Sequence, residues 1–446
     1  MAGMVEALRT QGIAGVALTY VDNSGVTRVK AVPLAGLARA AAHGVGMSPV
    51  FDVFLLNDAI TASRTSGGPV GDLRLIPDLS RLVALAAQPG WAWAPVDRRA
   101  QDGSVHPLCQ RSFVRAMVDR ARAQGLEAKM SFEVEWIVSR GTGSFPIPAT
   151  TEPAYGMSRL VELSEYCRDI LVALDDQSVA VEQIHPEYAP GQFEVSVAAG
   201  DPLAATDTNV LVRQTIRALS LRHGLRASFA PAVVAGGVGN GSHLHLSMWR
   251  QGRNLFTGGD RVHGLSGDGE AFLAGVLEGL PALMAVGAPS VGSYLRLVPG
   301  HWAGPWQCWG RENREAALRL ITGAAGSETQ AANAEVKCLD ASASPYLVVG
   351  AVLALGLAGM AAAASLPPEV MVDPASLGPA ELAALGGARL PSTLSEAVAH
   401  FERNAVLADA MGDRLFETFA AVRRAEVDLF SGSSDEDVVA ASRWQF

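Results

Sequence analysis

Runs of basic residues are missing from this 446-residue chain. Its 35 Lys and Arg are outnumbered by 45 Asp and Glu, the formal charge is −10, and no stretch gathers the cations into a stripe. A nucleic-acid backbone needs such a stripe, so nucleic acid is excluded as an expected partner. Cysteine is scarce as well: Cys109, Cys167, Cys308 and Cys338 are far apart and form no CxxC pair. That argues against a structural zinc site or a disulfide framework and points to a reducing cytoplasm. The opening stretch MAGMVEALRTQGIAG lacks a basic segment followed by an apolar core, so no secretory signal is expected. Residues 346–365 lack charge altogether and are long enough to cross a bilayer. They are mostly Ala, Gly, Val and Leu, without flanking Lys/Arg or an aromatic belt, so the expectation is a buried helix and no membrane partner.

Hydrophobic residues make up 49% of the chain and charged ones 18%, which describes a globular protein with a large core. The length favours two unequal domains, placed at 1–105 and 106–446. Two β-rich runs, 16–20 and 27–32, flank Asp22-Asn23-Ser24-Gly25 and predict a hairpin. Residues 61–72, rich in Ser, Thr and Gly, read as a mobile surface loop. Ser112 is the expected cap of a helix that Gly125 ends, followed by a strand over 130–138. Asp201-Pro202 opens a long helix ending near Gly224, and a strand is expected over 227–234.

Four clusters carry chemistry. In Phe132-Glu133-Val134-Glu135-Trp136 the two carboxylates share one strand face, about 7 Å apart along the strand. Paired carboxylates repel unless a cation lies between them, although a solvated sheet face would give the same spacing. Glu182, Glu187 and Glu194 flank a Pro-Gly turn in EQIHPEYAPGQFE. The turn Gly239-Asn240-Gly241-Ser242 leads into His243-Leu244-His245-Leu246-Ser247, with two same-face imidazoles, and Glu335 lies in Ala334-Glu335-Val336-Lys337, just before Asp340. Hard divalent cations take oxygen ligands, and Mg²⁺ or Mn²⁺ sites accept a histidine.

The order ExE, E…PGQxE, GNGxHxHxS, SYxRLVPG, NRxxxxR and E…D…PYL, spanning 133–347, resembles the glutamine synthetase family. Fainter similarity covers Leu75-Ile76-Pro77-Asp78 and Leu390-Pro391-Ser392-Thr393-Leu394. The resemblance implies an α+β fold: a small β-grasp-like N-terminal domain and a large catalytic domain with a curved antiparallel sheet flanked by helices. It implies ATP and two to three Mg²⁺ or Mn²⁺ ions per site. Glu135, Glu187 and Glu194 match the ligands of one metal, and Glu133, His243 and Glu335 those of another. His245, Ser247 and Glu182 match nucleotide-side residues. Arg314 and Arg319 match the arginines facing the transferring phosphoryl group. Arg296 matches the arginine that pairs with the substrate carboxylate, with Gly239 and Lys337 also on the substrate side. Asp52 or Asp58 matches an aspartate that reaches across a subunit interface, and sites between subunits of a homo-oligomeric ring, such as a dodecamer, are implied.

The chain departs from the family pattern where ammonia-using members carry a lid glutamate: the string here is Leu297-Val298-Pro299-Gly300-His301-Trp302-Ala303, with Trp302 in that place. An aromatic lid disfavours ammonium and suits an organic amine. The base then comes from Asp52, Asp58 or His301. Asn333 and Lys337 stand where arginines are usual, and Val238 where an asparagine usually precedes the glycine turn. The expected activity is an ATP-dependent carboxylate–amine ligation that forms a γ-glutamyl amide through an acyl phosphate. The alternatives are a glutamine synthetase using ammonia and a non-catalytic relative.

Overall fold

The computed structural model describes every residue except Thr142. Residues 1–99 build a first sheet from β1 (Gly15–Val21), β2 (Thr27–Pro33), β3 (Val45–Met47), β4 (Leu73–Pro77), β5 (Val83–Ala84) and β6 (Trp91–Arg99). Its order is β2-β1-β6-β4-β3, with β5 alongside β6. The β1/β2 hairpin is antiparallel, from Gly15 opposite Pro33 to Val21 opposite Thr27, whereas β1 runs parallel to β6. A helix not read from the sequence, Ala2–Thr10, precedes β1.

The Asp22-to-Gly25 turn is no surface turn. Asp22, Asn23 and Ser24 are buried, because the turn is the joint between this sheet and the rest of the chain. Arg423, on the long helix Ala405–Leu429, donates to Asn23 O (2.8 Å) and Pro289 O (2.7 Å), while Ser24 Oγ donates to Glu426 Oε1 (3.0 Å). Gly25 has φ +76°, and a Cβ there would lie 1.8 Å from Ser342 O, so only glycine fits.

The second sheet contains β7 (Leu126–Arg140), β8 (Ile147–Pro148), β9 (Val181–Pro186), β10 (Gln192–Val197), β11 (Leu225–Ser228), β12 (Leu244–Arg250), β13 (Arg253–Asn254), β14 (Trp306–Arg311), β15 (Ala316–Ile321), β16 (Asn333–Val336) and β17 (Ala388–Arg389). Its order is β17-β14-β15-β16-β12-β7-β10-β9, with β8 and β11 on β7 and β13 on β12. It is antiparallel apart from the β14/β15 pair, which is parallel. The α+β expectation holds, with that one correction to the sheet.

Three other local expectations shift. The helix after residue 105 is Gln110–Arg122 with Cys109, not Ser112, at its cap. Arg111 has to lie inside it, because its guanidinium bonds Asp207 (3.0 and 2.9 Å), Asp97 (3.0 Å) and Asp78 (2.7 Å); tertiary ion pairs override the local cap signal. The strand expected over 227–234 stops at Ser228, since Pro231 has no amide to give a ladder and Asn240 Nδ2 occupies Ser228 O and Ala230 O. Residues 61–72 carry no helix or strand, yet Ser63 Oγ and the Arg64 amide are tied to Thr418 and Glu417.

The uncharged run forms the helix Pro345–Ala361, buried almost throughout. It packs on Gly267–Gly287, the one helix among the described residues long and apolar enough to cross a membrane, whose apolar window is 83% buried in the fold. Glycines set the close approach: a Cβ on Gly275 would lie 2.4 Å from Leu355 O, and one on Gly359 2.3 Å from Ala271 O. The small-residue composition thus serves helix–helix contact.

Candidate active site

Period-2 geometry and strand register bring the carboxylates together. Across the antiparallel pairs, His185 on β9 faces Glu194 on β10, and Glu194 faces Glu135 on β7. From the other side, Arg319 on β15 faces Glu335 on β16, which faces His245 on β12. The Glu133 amide bonds His243 O (3.0 Å), which sets the glycine turn against β7. A cleft of ≈ 1000 Å³ opens over this row.

Glu133, Glu135, Glu187, Glu194, His243 and Glu335 all line that cleft, as do Gly239, Arg296, Trp302, Arg314, Arg319 and Lys337. His243 Nδ1 lies 3.2 Å from Glu133 Oε2 and 3.1 Å from Glu335 Oε1. His245 Nε2 lies 3.1 Å from Glu133 Oε1, and its Nδ1 donates to Asn333 Oδ1 (2.9 Å), so Asn333, in place of the usual arginine, orients this imidazole. Lys337 Nζ reaches Glu335 Oε1 (3.0 Å) and Arg319 Nη1 reaches Glu335 Oε2 (3.1 Å). Arg296 is 4% exposed; its Nη2 is 3.0 Å from His243 Nε2, and its Nη1 is buried without a partner among the described residues.

Other expected residues lie elsewhere. Asp52 is buried, its Oδ1 2.5 Å from Arg98 Nη1, and it does not line the cleft of its own chain. Asp58 pairs with Arg28 (2.7 Å). Both carboxylates pair with arginines of their own chain, and neither lines the cleft that this chain forms by itself. Ser247 Oγ is buried and accepts from Trp249 Nε1 (2.8 Å), and Glu182 is exposed at the start of β9; neither lines the cleft.

Four residues were not singled out from sequence. His185 Nε2 is 3.2 Å from Glu194 Oε1 and its Nδ1 3.5 Å from Glu187 Oε1. Gln192 Nε2 holds Glu135 Oε2 (2.9 Å) and Gly239 O (3.0 Å). Tyr155 lies on the cleft wall, its ring 6.4 Å from that of His185. Glu315 is buried, and its Oε1 accepts the Trp302 amide hydrogen (2.8 Å). The alternation His185-x-Glu187 at the end of β9 was the available signal for the first.

The electrostatics ask for cations. Burial, together with the Glu133 and Glu135 charges, pushes Glu194 up to about 7 despite its bond to His185. Burial and Glu135 also raise Glu187. On the other side burial is outweighed: His243 and His245 hold Glu133 well below the usual carboxylate range, and Lys337 and His243 do the same for Glu335. The imidazoles answer in kind: the Glu194 bond lifts His185 to about 9, and His245 rises to about 9 because Glu133 overcomes its burial. Two groups, Glu133/His245/Glu335 and His185/Glu187/Glu194, each bring ligand atoms within 4.8 Å of one another; of the expected ligands Glu135 and His243 fall outside these groups but border them, Glu135 facing Glu194 and His243 Nδ1 lying 3.2 Å from Glu133. Oxygen-rich sets with one imidazole fit Mg²⁺ or Mn²⁺. The glycine turn makes the room: a Cβ on Gly241 would lie 2.5 Å from His243 Nε2 and 2.7 Å from both Arg296 Nη2 and Glu135 Oε1.

Residues 107–439 match the family model described as the glutamine synthetase catalytic domain, and residues 1–104 the one described as the glutamine synthetase N-terminal domain.

The chain belongs to the glutamine synthetase family.

It is therefore an ATP-dependent carbon–nitrogen ligase of a family whose catalytic domain uses divalent metals. It is 55% identical to the gamma-glutamylpolyamine synthetase GlnA3 of Streptomyces coelicolor, over 98% of this chain and 95% of that one. It is 34% identical to the glutamine synthetase of Clostridium saccharobutylicum over 58% of each chain. Among solved structures, a novel glutamine synthase homolog superposes with TM-score 0.87 at 32% identity, covering 97% of this chain and 99% of that one. A GmaS/ADP complex superposes with TM-score 0.84 at 29% identity, covering 97% of each chain.

Proposed function

We propose that this glutamine synthetase-family enzyme joins a polyamine, or an organic amine like it, to the γ-carboxylate of glutamate with ATP. The carrying observation is Trp302, 56% exposed on the cleft wall where ammonia-using members place a carboxylate. Tyr155 and Tyr188, 53% and 60% exposed, line the same cleft. Aromatic faces above carboxylates attract an alkylammonium by cation–π and dispersion contact, which ammonium, with no carbon chain, exploits poorly. The gamma-glutamylpolyamine synthetase relative supports the polyamine class.

In this reading Arg296 binds the α-carboxylate of glutamate through the unpartnered Nη1. A γ-carboxylate oxygen attacks the γ-phosphorus of ATP, the bond to the ADP oxygen breaks, and an acyl phosphate forms. Arg314 and Arg319 spread the charge of the transferring group. The amine nitrogen then attacks the acyl carbon, the carbon–oxygen bond to phosphate breaks, and the amine loses a proton. Of the three bases considered, His301 remains at the cleft, its Nδ1 buried without a partner beside Trp302. Glu135, Glu187 and Glu194 would hold one Mg²⁺ or Mn²⁺, and Glu133, His243 and Glu335 another, supplying Lewis-acid neutralisation of phosphate oxygens. His245, oriented by Asn333, steadies Glu133. Trp302 and the walls restrict water, so that the amine captures the acyl phosphate.

The domain division at 1–105 and 106–446, a ring-shaped homo-oligomer with sites between subunits, and a cytoplasmic location belong to the same proposal. Four free, buried cysteines accord with a reducing compartment. Phosphate release measured with glutamate, ATP and Mg²⁺ over a panel of monoamines, diamines, polyamines and ammonium tests the reading: a polyamine is expected to give the highest kcat/KM.

A further inference from the structure

The segment 298–304 that carries Trp302 is an irregular strap over the cleft, held at its ends and at its middle. Arg389 ties both ends, with Nη2 donating to Leu297 O (2.6 Å) and Nη1 to Pro305 O (2.5 Å). Between them the backbone adopts left-handed conformations at Gly300 (φ +82°), Trp302 (φ +53°) and Gly304 (φ +67°). Glycine takes such angles freely, but a tryptophan rarely does, so Trp302 has to be held there. Among the described residues the indole nitrogen has no hydrogen-bond partner and the side chain is largely exposed. The hold therefore comes through the backbone, and its visible anchor is Glu315.

Glu315 is an unusual anchor. It is 6% exposed, its Oε1 accepts the Trp302 amide hydrogen at 2.8 Å, and its Oε2 is buried with no partner. Its own amide bonds Asn313 Oδ1 (3.1 Å), and the next two residues, Ala316 and Ala317, are fully buried at the start of β15, so the carboxylate stands on a rigid base. No cation bonds it. Burial raises its pKa, helped by the charge of Asp373 and opposed by the amides of Trp302 and Gly300 and the charge of Lys337. A buried carboxylate bonded chiefly to one strap is costly to keep unless the strap's position matters.

We propose that Glu315 is a positioning residue: through the Trp302 amide it holds the indole over the cleft and so sets selection of the acceptor amine and protection of the acyl phosphate from water. This rests on the reading that Trp302 faces the amine. Arg389 fixes where the strap begins and ends, and Glu315 fixes which way its aromatic side chain faces. Releasing the middle leaves the strap attached but lets the indole swing, so water reaches the acyl phosphate and phosphate is released without amide.

The test is a double-mutant cycle on the full-length enzyme, with phosphate and amide measured separately. Glu315→Ala is expected to raise the KM for the amine about 10-fold, the scale of one lost charge-assisted hydrogen bond, and to raise the phosphate-to-amide ratio clearly above that of the wild type, with the KM values for ATP and glutamate unchanged. Glu315→Gln retains an acceptor oxygen and is expected to restore coupling. Glu315→Asp keeps the charge but loses the reach, and is expected to behave like Ala; it also serves if the Ala variant does not fold. In a Trp302→Ala background, Glu315→Asp is expected to add nothing. Additive effects in that background, or a Gln variant as uncoupled as Asp, overturn the positioning role. Wild-type enzyme that forms no γ-glutamyl amide with any organic amine refutes the proposed function instead, so the two failures are distinguishable.

Discussion

Arg296 Nη2 stands 3.0 Å from His243 Nε2, while Nη1 of the same guanidinium is buried without a partner. A buried donor left open next to the cluster of carboxylates is a place for a ligand oxygen. Arg296→Lys is expected to raise the KM for glutamate by about 30-fold, because a lysine retains charge but not the planar fork. The KM for ATP should stay within a few-fold of wild type. Steady-state kinetics with each substrate varied in turn checks this.

Gly241 sits where a single methyl group would touch His243, Arg296 and Glu135 at once. Gly241→Ala is expected to lower kcat by at least about 100-fold while changing the melting temperature little, since displaced ligands cost more in function than in folding. A Mn²⁺ titration by calorimetry should show weakened binding in the same variant. Chelation of divalent metal from the wild type should abolish phosphate release, and adding Mg²⁺ back should restore it.

Trp302→Glu puts a carboxylate back on the lid. The expected result is a gain in kcat/KM for ammonium of about 10-fold and a comparable loss for organic amines, on the scale of one cation–π or ion-pair contact. Competition between ammonium and an amine, with product ratios determined by mass spectrometry, gives the answer in one vessel.

His106 supplies a pH test of stability away from the cleft. Burial, with Arg98 and Arg414 nearby, pulls its pKa down from 6.5 to about 4. The unfolded chain therefore takes up the proton first, and the stability that neutral His106 leaves intact above about pH 6.5 is lost as pH falls toward 4, by up to about 2–3 kcal/mol. The melting temperature should fall across that window, and His106→Gln should flatten part of the slope.

The chemistry was legible because it fixes residue type and spacing together. Glu133 and Glu135, or His243 and His245, alternate on a strand face, and the turns before and between the motifs need Gly191, Gly239 and Gly241. What depends on distant partners was not. Asp52 reads as a candidate base, and its pairing with Arg98, 46 residues on, has no sequence signal. Ser112 reads as a cap until Arg111 is claimed by Asp207. His185 is a lone imidazole before a proline until the β9/β10 register sets it opposite Glu194. The uncharged helix could be assigned to the core from its flanks, but the reason for its glycines became visible only with its packing partner.

The central claim is that an organic amine, not ammonia, accepts the activated glutamyl group. The most direct measurement is amide formation by the wild-type enzyme with glutamate, ATP and Mg²⁺, supplied with equal concentrations of a polyamine and ammonium. The account predicts γ-glutamylpolyamine as the dominant product, with phosphate released in equal amount. Glutamine as the main product, with polyamine left unreacted, would contradict it.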